Sequence, residues 1–192
     1  AEQIRDSAAE LLNIYARRAA REGHAGLVEI WPPVEPAAQD DAPIRLQFVL
    51  LAALLLAIRR RWFTVLFLAV SALPASAINE AMKTLFNRPR PDFLPHLDPA
   101  GGLSFPSGHA FGAATTYFAI ALALCVIASQ PRTRLAVLSV GIFLAALVAF
   151  SRVWLGVHYP SAVIAGMLSG FGWVLLVRIA CNHAVKALDR PR

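Results

Sequence analysis

Cysteine is scarce in this chain of 192 residues. The two cysteines, Cys125 and Cys181, lie within or at the end of apolar segments, and their spacing matches neither a metal site nor a disulfide framework. We interpret both as small apolar side chains that fill space. The sequence also lacks an HxxEH motif, a carboxylate cluster and a Walker glycine loop. These absences argue against a disulfide-stapled fold, a metallohydrolase and a P-loop nucleotidase, and they predict chemistry that needs no metal and no cofactor.

Apolar residues, in contrast, are abundant: the chain is 57% hydrophobic and has a mean hydropathy of +0.56. They collect in blocks that approach the roughly 20 residues needed to cross a bilayer, which predicts an integral membrane protein. The net charge of +6 would suggest a nucleic-acid partner in a soluble protein. Here the basic residues lie at the ends of the apolar blocks, so they indicate membrane topology, and no nucleic-acid partner is predicted.

Three regions are predicted along the chain. Residues 1–43 form an amphipathic helix, either interfacial or solvated, and a proline-rich linker. Residues 44–180 form the membrane domain, an all-α polytopic transmembrane bundle, and residues 181–192 form a cytoplasmic tail. The five predicted spans are Ile44–Ile58, Phe63–Ile78 with a helical continuation toward Lys83, Phe105–Ala128, Leu135–Phe150, and a last span from His158 to about Ala180.

The loops between the spans differ in their basic residues. Arg59–Arg61, Arg132 with Arg134, and the tail fall on one side of the membrane, which the positive-inside tendency assigns to the cytoplasm. The loop 87–103 and the stretch 151–160 fall on the outer side. An odd number of spans places the N-terminus outside, and a leading segment removed before Ala1 would explain its transfer.

Three clusters of polar residues share the predicted outer side. They are KTLFNRPRP with Lys83, Arg88 and Arg90; SFPSGHAFG with Ser104, Ser107, Gly108 and His109; and SRVWLGVH with Ser151, Arg152 and His158. Converging cations repel one another unless an anion lies between them, and ionisable groups at membrane depth are usually functional. Phosphate suits arginine forks, a lysine and the backbone N–H groups of a helix start. With two histidines nearby, the pattern predicts phosphoryl transfer, in which one imidazole attacks phosphorus and the other protonates the leaving oxygen.

These clusters resemble the signature of the type-2 phosphatidic acid phosphatase superfamily, which also includes vanadium haloperoxidases and glucose-6-phosphatases. The signature reads K-x6-R-P, then P-S-G-H, then S-R-x5-H-x3-D, and all three parts occur here in that order. The resemblance covers about residues 44–180. It implies phosphate binding by Lys83, Arg90, Ser107, Gly108 and Arg152, a general acid at His109 and a nucleophile at His158. Arg88 matches no fixed position and is left as an auxiliary contact.

The chain departs from this signature at one position, because Ala162 stands where the family has aspartate. A carboxylate four residues along a helix from His158 would select the tautomer of the imidazole and support its positive charge. Ser161 offers a hydroxyl, but it does not lie one helical turn along. The change is either natural divergence or an inactivating substitution, and the otherwise intact site favours the second. Sequence alone therefore predicts that Ala162→Asp raises activity by about 10²–10⁴.

The resemblance implies a lipid phosphatase that acts on a phosphate monoester or a pyrophosphate, in a bacterial inner membrane with its site facing the periplasm. Phosphatidic acid, phosphatidylglycerol phosphate, a polyprenyl pyrophosphate and phosphorylated lipid A all fit the motifs equally well. Two alternatives remain open: a lipid phosphotransferase that uses the same residues, and a catalytically silent phospholipid-binding protein. The sequence does not predict an oligomeric state.

Overall fold

The computed structural model describes residues 42–90 and 102–188, and every regular element in these ranges is an α-helix. This confirms the predicted all-α class, while the predicted N-terminal amphipathic helix lies outside the described residues. The helices are α1 (Ala42–Ile58), α2 (Trp62–Ala72), α3 (Ala75–Phe86), α4 (Gly108–Leu124), α5 (Pro131–Trp154) and α6 (Pro160–Leu188).

Each of the predicted spans corresponds to helix, although the bounds differ. In the described ranges, three segments are long and apolar enough to cross a membrane: 62–86, which joins α2 to α3, 131–154 and 160–186. Helices α1 and α4 are apolar but shorter. The third predicted span begins as helix only at Gly108, because Ser107 is its extended N-cap residue. Helix α6 continues to Leu188, past the predicted end near Ala180.

Helix α4 is the centre of the bundle and packs against the five other described helices. Its closest neighbour is α6, where Gly166 and Gly170 lie one turn apart on the same face. A Cβ atom at these positions would lie 2.6 Å from the carbonyl oxygen of Ser107 and 2.7 Å from that of Phe111, respectively. Small residues at this spacing let two membrane helices approach closely. The start of α4 is thereby held against the start of α6, where the backbone N–H of Ser107 donates to the carbonyl of Ala162 at 3.0 Å.

The outer surface of the bundle is apolar. Large side chains on α5 and α6 are well exposed, among them Phe143 at 61% and Leu168 at 66%. Contiguous apolar surface of this extent is unfavourable in water, because each exposed aliphatic or aromatic group loses its hydrophobic stabilisation. The chain is an integral membrane protein, and these side chains face the lipid.

Candidate active site

The described parts of the α3–α4 connection meet the α5–α6 connection at one end of the bundle. Asn87 ends α3 in the left-handed region at φ 43, a conformation that asparagine tolerates, and turns the chain toward Arg90. Gly156, at φ 71, ends α5 in the same region, and Pro160 begins α6 two residues after His158. The two turns bring Arg90 and His158 into contact, although 68 positions separate them in sequence.

His158 is buried and is held by two neighbours whose hydrogen-bonding capacities are fixed. Its Nδ1 lies 2.8 Å from the carbonyl oxygen of Ser104, which can only accept a hydrogen bond. Its Nε2 lies 3.1 Å from Nη1 of Arg90, which can only donate. The imidazole therefore carries its proton on Nδ1, donates it to Ser104, and presents an unprotonated Nε2 toward the guanidinium.

The same surroundings keep the ring neutral. His158 lies in the connection between α5 and α6, outside the membrane-capable helices. The pKa of His158 is lowered from 6.5 to about 3, mainly by burial and secondly by the charge of Arg90, while the hydrogen bond to Ser104 acts in the opposite direction. His109 and Lys83 also lower this pKa, so both are near enough to act on the ring. At neutral pH Nε2 is therefore unprotonated and accepts the hydrogen bond from Arg90.

Arg88 contacts residues of both segments that surround His158. Its guanidinium lies 4.1 Å from the ring centroid of Tyr159 and donates to Oγ of Ser161 at 3.0 Å. Its carbonyl accepts from the backbone N–H of Ser104 at 2.8 Å, which positions the residue that holds His158. The hydroxyl of Ser161 is therefore engaged by Arg88, in agreement with the expectation that it does not replace the missing carboxylate.

The second cluster forms the start of α4. Ser107 is buried and caps the helix, accepting a hydrogen bond from the N–H of Ala110 at 3.4 Å. Gly108 faces α3 closely, since a Cβ there would lie 2.9 Å from Nδ2 of Asn79 and 3.8 Å from Nζ of Lys83. Lys83 and His109 line one cavity together with Gly108. The structure thus brings these predicted site residues together.

The predicted site residues Arg152 and Ala162 lie on either side of the α5–α6 connection. Arg152 lies in the last turn of α5, half-buried, and its Nε donates to Oγ of Ser151 at 3.1 Å. Ala162 is fully buried in the first turn of α6, where its carbonyl receives the bond from Ser107. The position that the family fills with a carboxylate is therefore closed to solvent.

Three groups at this site were not predicted from the sequence. The carbonyl of Ser104 is a backbone atom, so no residue type signals it. Arg45 lies in the first turn of α1 and Asn79 lies one turn before Lys83 on α3, and both line the cavity beside His109. Arg45 resembles an anchoring residue at the end of an apolar block, whereas the spacing of Asn79 and Lys83 on one helix face was a usable signal.

The profile of the PAP2 superfamily matches residues 64–185, and the chain belongs to this superfamily. It is 35% identical over 121 residues to phosphatidylglycerophosphatase B of Bacillus subtilis, covering 62% of this chain and 59% of that protein. It is 32% identical over 146 residues to undecaprenyl-diphosphatase of Sulfolobus acidocaldarius, covering 72% and 66%. A lipid A 1-phosphatase of Rhizobium etli is 36% identical over 105 residues, covering 50% and 40%. The chain thus spans about two fifths to two thirds of the length of these relatives.

The structure has a close counterpart among solved structures. The crystal structure of a transmembrane PAP2-type phosphatidylglycerolphosphate phosphatase from Bacillus subtilis matches it with a TM-score of 0.64 at 26% identity, over 99% of this chain and 89% of that one. The helical bundle described above is therefore the fold of a known membrane phosphatase.

Proposed function

We propose that this protein is a lipid phosphatase that hydrolyses a phosphate monoester or a pyrophosphate on a membrane lipid, through a phosphohistidine intermediate on His158. The observation that carries the proposal is the fixed tautomer of His158, whose unprotonated Nε2 faces the guanidinium of Arg90. This arrangement supports an attack by Nε2 on a phosphate that Arg90 also binds. The lipid phosphatases among the relatives support the substrate class.

In the first step the substrate phosphate enters between Arg90 and Nε2 of His158. The phosphate then accepts the hydrogen bond that Arg90 had donated to Nε2. The Nε2 lone pair attacks phosphorus, an N–P bond forms, and the P–O bond to the lipid breaks. His109 donates a proton to the departing oxygen, so the lipid leaves as a neutral alcohol, or as a lipid monophosphate when the substrate is a pyrophosphate. Nδ1 keeps its proton and continues to donate it to the carbonyl of Ser104. This hydrogen bond stabilises the positive charge that develops on the ring.

In the second step water attacks the phosphohistidine. His109, now unprotonated, takes a proton from that water, the N–P bond breaks, and inorganic phosphate leaves. Lys83, Arg90, Arg152, the hydroxyl of Ser107 and the backbone N–H of Gly108 at the start of α4 would hold the phosphate oxygens in both steps. Every step uses residues of the chain alone.

A rapid-quench experiment tests the mechanism. Incubation with a labelled lipid phosphate should leave phosphate on the protein in an acid-labile, base-stable form, as expected of phosphohistidine. Hydrolysis in isotopically labelled water should place one heavy oxygen in each released phosphate. Transfer of the label to an added alcohol instead of water would show the phosphotransferase, and binding without release of phosphate would show the silent binding protein.

Oxyanion binding gives a second prediction. Tungstate at about one hundred times its Kd should stabilise the protein by about 2.7 kcal/mol, because it binds only the folded state. Arg90→Ala and Arg152→Ala should each remove most of this stabilisation in thermal unfolding. Arg132→Ala, an exposed arginine at the start of α5, is the matched control and should keep it. An undiminished shift in Arg90→Ala would place the anion elsewhere.

Membrane orientation is a third prediction. We propose that the active-site end faces the periplasm of a bacterial inner membrane and that Arg59–Arg61 and Arg132 face the cytoplasm, because of the basic residues in alternate loops. In a background that carries Cys125→Ala and Cys181→Ala, Asp98→Cys should react with an impermeant thiol reagent in intact cells. Thr133→Cys should react only after lysis. Equal labelling in intact cells would contradict this topology.

A further inference from the structure

A second polar site lies at the opposite end of the bundle from the candidate active site. The active site forms at the start of α4, whereas a cavity of about 340 Å³ opens at the end of this helix, between α4, α5 and α6. We call it the two-arginine cavity. Its lining residues are Leu122, Cys125 and Val126 at the end of α4, Arg134 and Leu138 from α5, and Arg178 from α6. Two arginines thus share a small space whose other walls are apolar side chains and a thiol.

The two arginines lie at a similar depth in the membrane. Arg178 is about 27 Å along α6 from Pro160, and Arg134 is about 30 Å along α5 from Trp154, at the usual rise of an α-helix. Pro160 and Trp154 flank the connection that carries His158. Since the hydrocarbon core of a bilayer is about 30 Å thick, both arginines lie at the level of the lipid head groups in the leaflet opposite the active site.

Arg134 is held in place by the turn between α4 and α5, although it is exposed. Its Nε donates to the carbonyl of Ala128 at 3.0 Å, and its own carbonyl accepts from Sγ of Cys125 at 3.6 Å. The bond to Ala128 uses Nε, while the two Nη groups carry the other four N–H donors of the planar fork. A side chain that is already positioned loses less conformational entropy when it binds a ligand.

No carboxylate of the described residues neutralises these arginines. Glu80 is the only acidic residue in the ranges 42–90 and 102–188, and it pairs with Lys83 at the active-site end. Arg178 is partly buried and makes no hydrogen bond or ion pair within the same ranges. Two cations that share an apolar cavity repel each other, and an anion between them would convert this repulsion into attraction.

We propose that the two-arginine cavity binds one anionic phospholipid of the leaflet opposite the active site, with the lipid phosphate between Arg134 and Arg178. The arginine forks suit the phosphate oxygens. The apolar walls suit the first part of the acyl chains, which a soluble anion lacks. Basic pockets between transmembrane helices are recurrent sites for anionic head groups. The bound lipid would link α5 to α6 at the end where no connection joins them.

The test measures protection of Cys125, the thiol in the cavity wall. Protein that carries Cys181→Ala is placed in vesicles of phosphatidylcholine alone, or of phosphatidylcholine and phosphatidylglycerol in equal amounts. The rate at which Cys125 reacts with a membrane-permeant maleimide should be lower with phosphatidylglycerol, because the lipid occupies the cavity. Arg178→Ala should weaken lipid binding by about tenfold to a hundredfold, the usual effect of losing a charge-assisted hydrogen bond, and most of the protection should disappear.

Two further variants separate the cavity from the general charge of this end of the bundle. Arg132→Ala removes the same charge at the start of α5 but does not line the cavity, so it should keep the protection. Arg178→Lys keeps the charge without the fork and should retain part of the protection, whereas Arg178→Ala should not.

Three results would overturn the inference. They are equal reactivity of Cys125 in the two kinds of vesicle, equal protection in Arg178→Ala, and equal protection by inorganic phosphate in vesicles of phosphatidylcholine alone. The last result would mean that the cavity binds a free anion and not a lipid. Because the two sites lie at opposite ends of α4, none of these results would bear on the proposed phosphatase function.

Discussion

Replacing His158 with alanine is expected to lower kcat/KM on any lipid phosphate by about 10⁴–10⁶, the scale on which hydrolases respond to loss of their nucleophile. The reason is that neither group bonded to the ring can replace Nε2: Arg90 only donates hydrogen bonds, and Ser104 contributes a carbonyl that accepts from Nδ1. The variant should also form no phosphoprotein in the rapid-quench experiment. Activity and intermediate are lost together because they depend on the same atom.

Two controls keep this result interpretable. Tungstate should still stabilise His158→Ala in thermal unfolding, which shows that the phosphate cradle and the fold survive. Added imidazole should restore part of the turnover by entering the space that the side chain leaves. If His158→Ala still accumulated an acid-labile phosphoprotein, another histidine would be the nucleophile and the assignment of roles would have to be reversed.

The pH profile of the unmodified protein gives a related expectation. Because burial and Arg90 lower the pKa of His158 to about 3, the ring is neutral and its Nε2 is unprotonated at every pH above that value. Raising the pH through the range of an ordinary histidine therefore removes no proton from His158. Since kcat/KM reports groups of the free enzyme, a change near pH 6–7 would arise from a different group, and the nucleophile alone would give a flat profile at about pH 5–8.

Much of the fold and of the site could be predicted because both depend on patterns along the chain. Apolar blocks bounded by basic residues predicted the helices, and the signature spacings predicted that Lys83, Arg90, Ser107 and His158 converge. The exact helix bounds could not be predicted so well. Because Ser107 is the N-cap residue, α4 begins at Gly108 and not at Phe105. Helix α6 continues past Ala180 through residues that are polar enough to resemble a tail.

Two of the groups that were missed, the carbonyl of Ser104 and the side chain of Arg45, share a physical reason: their role is created by packing. The carbonyl of Ser104 reaches His158 because the backbone N–H of Ser104 is bonded to the carbonyl of Arg88, and any residue at position 104 would offer the same atom. Arg45 reaches the cavity beside His109 because Gly112 lets α1 approach α4. Its position at the start of an apolar block is equally typical of a membrane anchor, so the sequence could not distinguish the two roles.

The buried position of Ala162 leads to the last prediction, that Ala162→Asp raises kcat by about tenfold to a hundredfold. This gain is smaller than the 10²–10⁴ expected from the sequence, because the two effects of a supporting carboxylate are separable. One effect is selection of the tautomer, and the carbonyl of Ser104 already supplies it at 2.8 Å from Nδ1. The other is a negative charge that stabilises the imidazolium formed on attack, which a neutral carbonyl does only weakly.

The substitution also has a cost that limits the gain. Ala162 is fully buried, and a carboxylate placed there loses its hydration unless Nδ1 of His158 turns to it as a donor. We therefore expect Ala162→Asp to lower the thermal stability while it raises kcat. Ala162→Asn, which has nearly the same shape without the charge, should show the loss of stability and little of the gain.

A double variant decides whether the carboxylate acts through the histidine. In a His158→Ala background, Ala162→Asp should give no gain, because the only group that it stabilises is absent. A gain above about 10³ in the single variant would mean that the carbonyl of Ser104 does not fix the tautomer in solution, and that the present chain is an inactivated form. No gain at all would mean that the carbonyl suffices, so that alanine at position 162 is a working variant of the site in which a backbone atom has taken the place of the aspartate.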